Sequence, residues 1–269
     1  MKNYYKVLRK KIKKWLYGNC PGFAGSFPYF GTKVFFPQGS KIFELACQQG
    51  IYEIKNTELI LKLIKPNTFY FDVGANIGLM AIPILNRCRT AKVLSWEPSP
   101  NTLPSLTLTR ENSQFQDRWQ VIGKAAGDFI GELDFAIASP ELGAFDGFLD
   151  TKRAGLTKKI TVPVTTLDSE WEAIGSPLVS IIKIDVEGAE LQTLKGSTKC
   201  LQNNKPYILI EWTLKNLQAY GYESENLLDF AHEIGYQVFS ISDFIPITNS
   251  TSLKLHMLKS ESFLLVPDE

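Results

Sequence analysis

The stretch from Phe69 to Gly78, Phe-Tyr-Phe-Asp-Val-Gly-Ala-Asn-Ile-Gly, constrains this chain more than any other. Thr68 to Val73 is β-branched and aromatic, Gly74 and Gly78 bracket a turn, and Leu79 to Leu85 is apolar at helical spacing, which predicts strand, tight loop, helix. Gly74 lacks a Cβ, so the backbone there can bend sharply and come close to a ligand. The amides that open the next helix carry partial positive charge suited to a carboxylate or phosphate. Asp72 closes the strand, where a carboxylate can hold an ammonium group.

A dinucleotide loop requires G-x-G-x-x-G, and counted from Gly74 two of its three glycines are missing, because position 76 is Asn and position 79 is Leu. S-adenosylmethionine has no pyrophosphate to seat, and the D-x-G-x-x-x-G spacing of residues 72 to 78 suits it. Glu97 follows the next strand, Val93 to Trp96, as an acceptor-only carboxylate able to take both ribose hydroxyls. The expected donor contacts are Asp72, Gly74, Asn76, Gly78, Glu97 and Pro98. After a third strand, Trp119 to Ile122, Ala125 is the expected backbone contact at the adenine end. Asp128 is a partner for the exocyclic amine or simply half of a Gly-Asp turn.

The charge is unevenly spread. Residues 2 to 14 hold seven basic groups and no acid; without these seven of the 29 basic residues, the rest of the chain has 22 against 28 acidic ones, a net of −6. A body of that sign is a poor match to nucleic acid. Cys20, Cys47, Cys88 and Cys200 show no C-x-x-C spacing, so neither a zinc site nor a disulfide frame is expected. The absence of a long apolar run or a signal core leads us to expect a cytoplasmic chain. Tyr4, Leu8, Ile12, Trp15 and Leu16 share one face of a basic helix. The plainer and preferred reading packs that stripe on the body; the alternative is peripheral contact with an anionic membrane through residues 1–17.

Asn19 to Ser40 reads as an irregular link with a strand at Lys33 to Phe36 and a contribution to a substrate lid, and Thr57 to Ile64 as a helix. Glu132 to Ile137 and Ile160 to Val164 alternate around a Gly-rich loop, Glu141 to Gly155, as excursions from the main sheet. Core strands fall near residues 70, 94, 120, 181, 208, 239 and 264, the last two with no helix between them and forming an antiparallel end. The expected architecture is an α/β fold with a doubly wound, seven-stranded, mostly parallel sheet, Rossmann-like in the manner of class I methyltransferases. Residues 1–50 form a basic helix and irregular extension, and residues 51–269 the donor-binding domain.

Asp72-Val-Gly-Ala-Asn-Ile-Gly78, Trp96-Glu97-Pro98, Thr166-Leu-Asp168, Ile182-Lys-Ile-Asp-Val-Glu-Gly-Ala-Glu190 and Ile210-Glu211 occur in the order seen in the FkbM-type methyltransferases, which the chain resembles over about half its length. The resemblance implies a methyltransferase acting on oxygen in sugars, glycolipids or small secondary metabolites.

Transfer from a sulfonium needs alignment, exclusion of water and removal of the acceptor's proton. His232 and His256, the two histidines, lie away from the strand ends that face the donor. The expected catalytic groups are therefore Asp185, Glu187 and Glu211. In one scheme Asp185 contacts the donor while Glu187 or Glu211 takes the proton; in the other, Asp185 and Glu211 hold a divalent ion such as Mg²⁺. Glu187 and Glu190 also suit the first turn of a helix for purely structural reasons. Two further functions stay open: N-methylation of another substrate, disfavoured because Asp185-Val-Glu-Gly stands where an Asn-Pro-Pro-aromatic element would grip a planar amine, and a protein of this fold that binds the donor without catalysis.

Overall fold

The computed structural model describes residues 2–138, 146–147 and 158–268. Helix α1 (Lys2–Asn19) is followed by a hairpin of β1 (Ser26–Tyr29) and β2 (Thr32–Phe35), then α2 (Lys41–Gln49) and α3 (Ile54–Leu63). Alternation begins with β3 (Phe69–Val73), α4 (Ala81–Arg87), β4 (Lys92–Trp96), α5 (Leu103–Glu111) and β5 (Trp119–Ile122). A small sheet of β6 (Ala125–Ala126), β7 (Gly131–Ile137) and β8 (Lys158–Thr165) precedes α6 (Leu167–Ala173). The second half runs β9 (Val179–Ile184), α7 (Glu190–Lys195), α8 (Thr198–Asn204), β10 (Tyr207–Glu211), α9 (Leu214–Tyr220), α10 (Asn226–Glu233) and β11 (Tyr236–Ser240). It closes with β12 (Pro246–Ile247), α11 (Ser250–Met257) and β13 (Ser262–Pro267).

The main sheet has the order β12-β11-β13-β10-β9-β3-β4-β5. Pairing is parallel from β5 through β4, β3 and β9 to β10, whereas β13 runs antiparallel to both β10 and β11. Successive strands step one way from β3 to β5 and the other way from β9 onward, so the chain switches direction between β3 and β9. The carboxyl ends of strands at such a point leave a crevice for a ligand. β9 is buried at every position, as a central strand covered on both faces must be. Tyr70, Val93, Ile181 and Leu209 face one core layer, and Phe71, Leu94, Ile182 and Ile208 the other.

All seven expected strands are present, and the two-residue β12 adds an eighth at the edge beside β11. The excursion is also present as the β6-β8-β7 sheet; its Gly-rich loop, Glu141 to Gly155, lies outside the described residues except for Asp146 and Gly147. The link after α1 differs from expectation. It is a two-stranded hairpin whose turn residues, Phe30 and Gly31, both have positive φ, the combination that matches the twist of the paired strands. It forms no lid: Phe27, Tyr29, Val34 and Phe36 enter the same core as Tyr70 and Leu79, and Phe36 stacks on Phe43 of α2 with ring centroids 3.9 Å apart. A helix also separates the last two long strands, contrary to expectation. Asn249 caps α11 by accepting from the Ser252 amide at 2.9 Å, and Leu253 anchors it in the core.

α1 departs furthest from expectation. Leu8, Ile12 and Trp15 are 40%, 52% and 60% exposed, so the apolar stripe faces solvent. The opposite side meets the body, through Tyr17 against the core and an ion pair of 2.8 Å from Lys14 to Glu44 of α2. Among the described residues, no helix is long and apolar enough to cross a membrane.

Candidate active site

A cavity of about 380 Å³ opens at the carboxyl ends of β3, β4, β9 and β10. Its floor is the loop after β3, where Gly74, Asn76 and Gly78 all have positive φ. The close approach that requires glycine at position 74 is to the chain itself: a Cβ there would fall on the carbonyl oxygen of Asp185. Gly78 is crowded less severely, by the side chains of Leu106 and Trp119, and lies behind the wall. The bend therefore locks the β3 loop against the end of β9.

Glu97 reaches this floor from the end of β4. One carboxylate oxygen accepts from the Asn76 amide at 2.7 Å and the other from the Ser99 amide at 2.9 Å. The Thr102 side chain also bears on this carboxylate, which with roughly four acceptor positions keeps room for a further donor. Burial raises its pKa to about 7. Asp72 is fully buried; one oxygen accepts from the Tyr70 hydroxyl at 3.0 Å, the other has no partner among the described residues, and burial lifts the group to about 6. Asn76 likewise keeps a side-chain oxygen without a partner. Orphaned buried acceptors of this kind fit a cationic ligand.

Across the cavity, Asp185, Glu187 and Glu211 bring carboxylate oxygens within 4.8 Å of one another. Asp185 caps β9 and accepts from the Lys183 ammonium at 2.8 Å. Lys183 is only 4% exposed; burial works against its charge, but Asp185, Glu53 and Asp72 outweigh that and hold it above its ordinary pKa. Glu187 sits in the left-handed region at φ 55°, an uncommon conformation for a residue with a side chain. Glu190 holds this loop in place, accepting from the amides of Val186 and Gly188, both at 3.1 Å, and burial raises it to about 7. Its place is structural, at the start of α7.

Gly74, Asn76, Glu97, Pro98, Ala125, Asp185, Glu187 and Glu211 all line the cavity. Asp72 and Gly78 stand just behind it, and neither histidine reaches it. Asp128 is exposed and outside the wall, whereas Asp146 is among the carboxylates that line the cavity. Asp146 accepts from the Ala138 amide at 2.7 Å, from Asn101 at 3.0 Å and from the Ser99 hydroxyl, which ties the excursion to the residues beside Glu97. The sequence reading also missed Tyr52, Glu53 and Lys183 in the wall. Of these, Lys183 had a signal, a lone ammonium inside an apolar strand.

The model of the Methyltransferase FkbM domain matches residues 72–238, more than half of the chain, and takes in the glycine loop after β3, the acidic cluster, and β9 and β10. The chain belongs to the FkbM methyltransferase family. Among curated relatives, hexuronic acid methyltransferase AglP of Haloferax volcanii is 30% identical over 155 residues, a match covering 57% of this chain and 59% of that protein. The 2-O-methyltransferase NoeI of Sinorhizobium fredii is 24% identical over 172 residues, covering 60% of this chain and 69% of the relative. A crystal structure of an FkbM methyltransferase from Methylobacillus flagellatus aligns with a TM-score of 0.46 at 18% identity, covering 84% of this chain and 55% of the other. The FkbM match begins at Asp72, so α1, the hairpin, α2 and α3 lie outside it.

Proposed function

We propose that the protein is an S-adenosylmethionine-dependent O-methyltransferase acting on a hydroxyl of a sugar, glycolipid or small metabolite. The observation that carries this reading is the placing of Glu97 and the Asp185, Glu187 and Glu211 cluster on opposite walls of one switch-point cavity. Asn76, with its orphaned oxygen, and Glu97 would hold the donor's ribose, and Asp72, buried behind the wall, would add negative charge towards its ammonium. When bound, the donor supplies a methyl group already activated by the sulfonium. The chain's own work is to align the acceptor, keep out water and take up a proton.

Lys183 divides the acidic residues into two roles. By pairing with Asp185 it neutralises that carboxylate, leaving Glu187 or Glu211 as the proton acceptor. A second reading places a divalent ion on the three carboxylates, since an all-oxygen set suits Mg²⁺. Exhaustive chelation separates them: unchanged turnover supports the base, and turnover restored only by Mg²⁺ supports the ion.

The wall beyond the donor end carries Glu53, Asp185, Glu187, Glu211 and Glu261 against Lys41 and Lys183. That balance favours an uncharged or amino sugar over the hexuronic acid named for the Haloferax relative. Residues 1–17 add peripheral membrane contact to this function. Titration calorimetry with S-adenosylmethionine checks the central assignment; absence of binding would leave the fold without its donor and overturn it.

A further inference from the structure

We infer that α1 docks on an anionic lipid surface and that α2 carries this contact to the mouth of the cavity. A helix of a globular protein ordinarily turns its apolar stripe inward. In α1 the stripe of Leu8, Ile12 and Trp15 is turned out, while Tyr17, Lys14 and Gly18, against Phe43, face the body. Arg9 and Lys11 are exposed on either side of that stripe, whereas Lys13 and Lys14 lie towards Cys47 of α2. An aromatic and two aliphatic side chains flanked by cations match the boundary of an anionic bilayer, where the rings and chains enter the acyl edge and the cations meet the headgroups. The remainder of the chain, at a net of −6, is repelled by the same surface, so only the α1 side can approach it.

The contact has a consequence for the cavity. α2 is bound to α1 through Glu44, and it lines the cavity with Lys41, Ile42, Leu45 and Gln49. Docking therefore sets the cavity mouth beside the lipid. On the methyl-transfer reading, on which this step rests, the acceptor is then a glycan or alcohol carried on a lipid anchor.

The test uses the full chain with phosphatidylcholine vesicles, with and without phosphatidylglycerol. Co-sedimentation is expected to be at least about tenfold stronger on the anionic vesicles, roughly 1.4 kcal/mol, and to weaken with added salt. The exposed substitutions Ile12→Ser with Trp15→Ser, and separately Arg9→Gln with Lys11→Gln, should each lower it without changing thermal stability. Amide exchange should slow on vesicle addition over residues 7–19 and also over 41–49. Equal binding to both vesicles, no binding, or protection of α1 by self-association at high protein concentration overturns the docking. Protection of α1 without any change over 41–49 overturns its link to the cavity. Vesicle binding that persists in a protein unable to bind S-adenosylmethionine would refute methyl transfer and leave the docking standing.

Discussion

On the proposed reading Glu97 holds ribose hydroxyls as a charged carboxylate, yet it sits where burial favours its neutral form. The two demands give opposite pH trends in one protein. Asp72, Glu97 and Glu190 have folded pKa values raised to about 6, 7 and 7, so the folded chain keeps protons that the unfolded chain releases. Stability of the ligand-free protein should fall as pH rises from the ordinary carboxylate range to about 7, while donor affinity increases over the same interval; thermal melts and calorimetry at matched pH read both. Glu97→Gln should weaken donor binding by roughly ten- to a hundredfold, the worth of about 1.5–3 kcal/mol for a hydrogen bond to a charged group. At Gly74, Ala would drive a methyl into the Asp185 carbonyl at a φ of 83°. We expect a loss of about 1–3 kcal/mol, the range for overpacking, measured by chemical denaturation.

In the proposed function the chemistry turns on the segment between β9 and α7. Glu190 ties its amides together and Glu187 is held in a left-handed conformation that presents it to the cavity. Glu187→Gln should lower kcat by roughly 10²–10⁴, the usual contribution of a general base, with donor affinity unchanged in calorimetry; normal turnover would remove Glu187 from the reaction. At this scale the sequence was readable wherever one period dominated. The β-branched run before Gly74 and the apolar run before Asp185 could only be buried strands, and their last residues fall where parallel strands deliver side chains to a crevice. It was opaque where geometry depends on partners distant in sequence. The Phe30-Gly31 turn lacks the Asn or Asp that usually marks a hairpin, and α11 is fixed by one cap and one buried leucine rather than by a full apolar stripe. Asp146 lies inside the excursion, 47 residues along the chain from Ser99, so no local pattern announces their contact.

Taken whole, the molecule is polarised: a cationic helix with outward apolar residues on one side, an acidic body on the other, and a cavity whose charged lining is mostly carboxylate. A pair of glycosides differing only in whether the sugar bears a carboxylate reads this directly. The neutral member should have the higher kcat/KM, and Glu53→Gln should narrow the gap by admitting the anionic one; a preference for the uronate would show that the wall does not govern choice. The extension belongs to this whole as well. Its aromatic residues share a core with the body, so the first fifty residues are structural partners of the cavity rather than an appendage. The placing of β13 also has a bearing on assembly. Because it is wedged between β10 and β11, the interior of the sheet waits for a segment synthesised after both its neighbours. Until residues 262–267 arrive, two unpaired edges lie open, and a nascent chain in that state is a natural client for a chaperone.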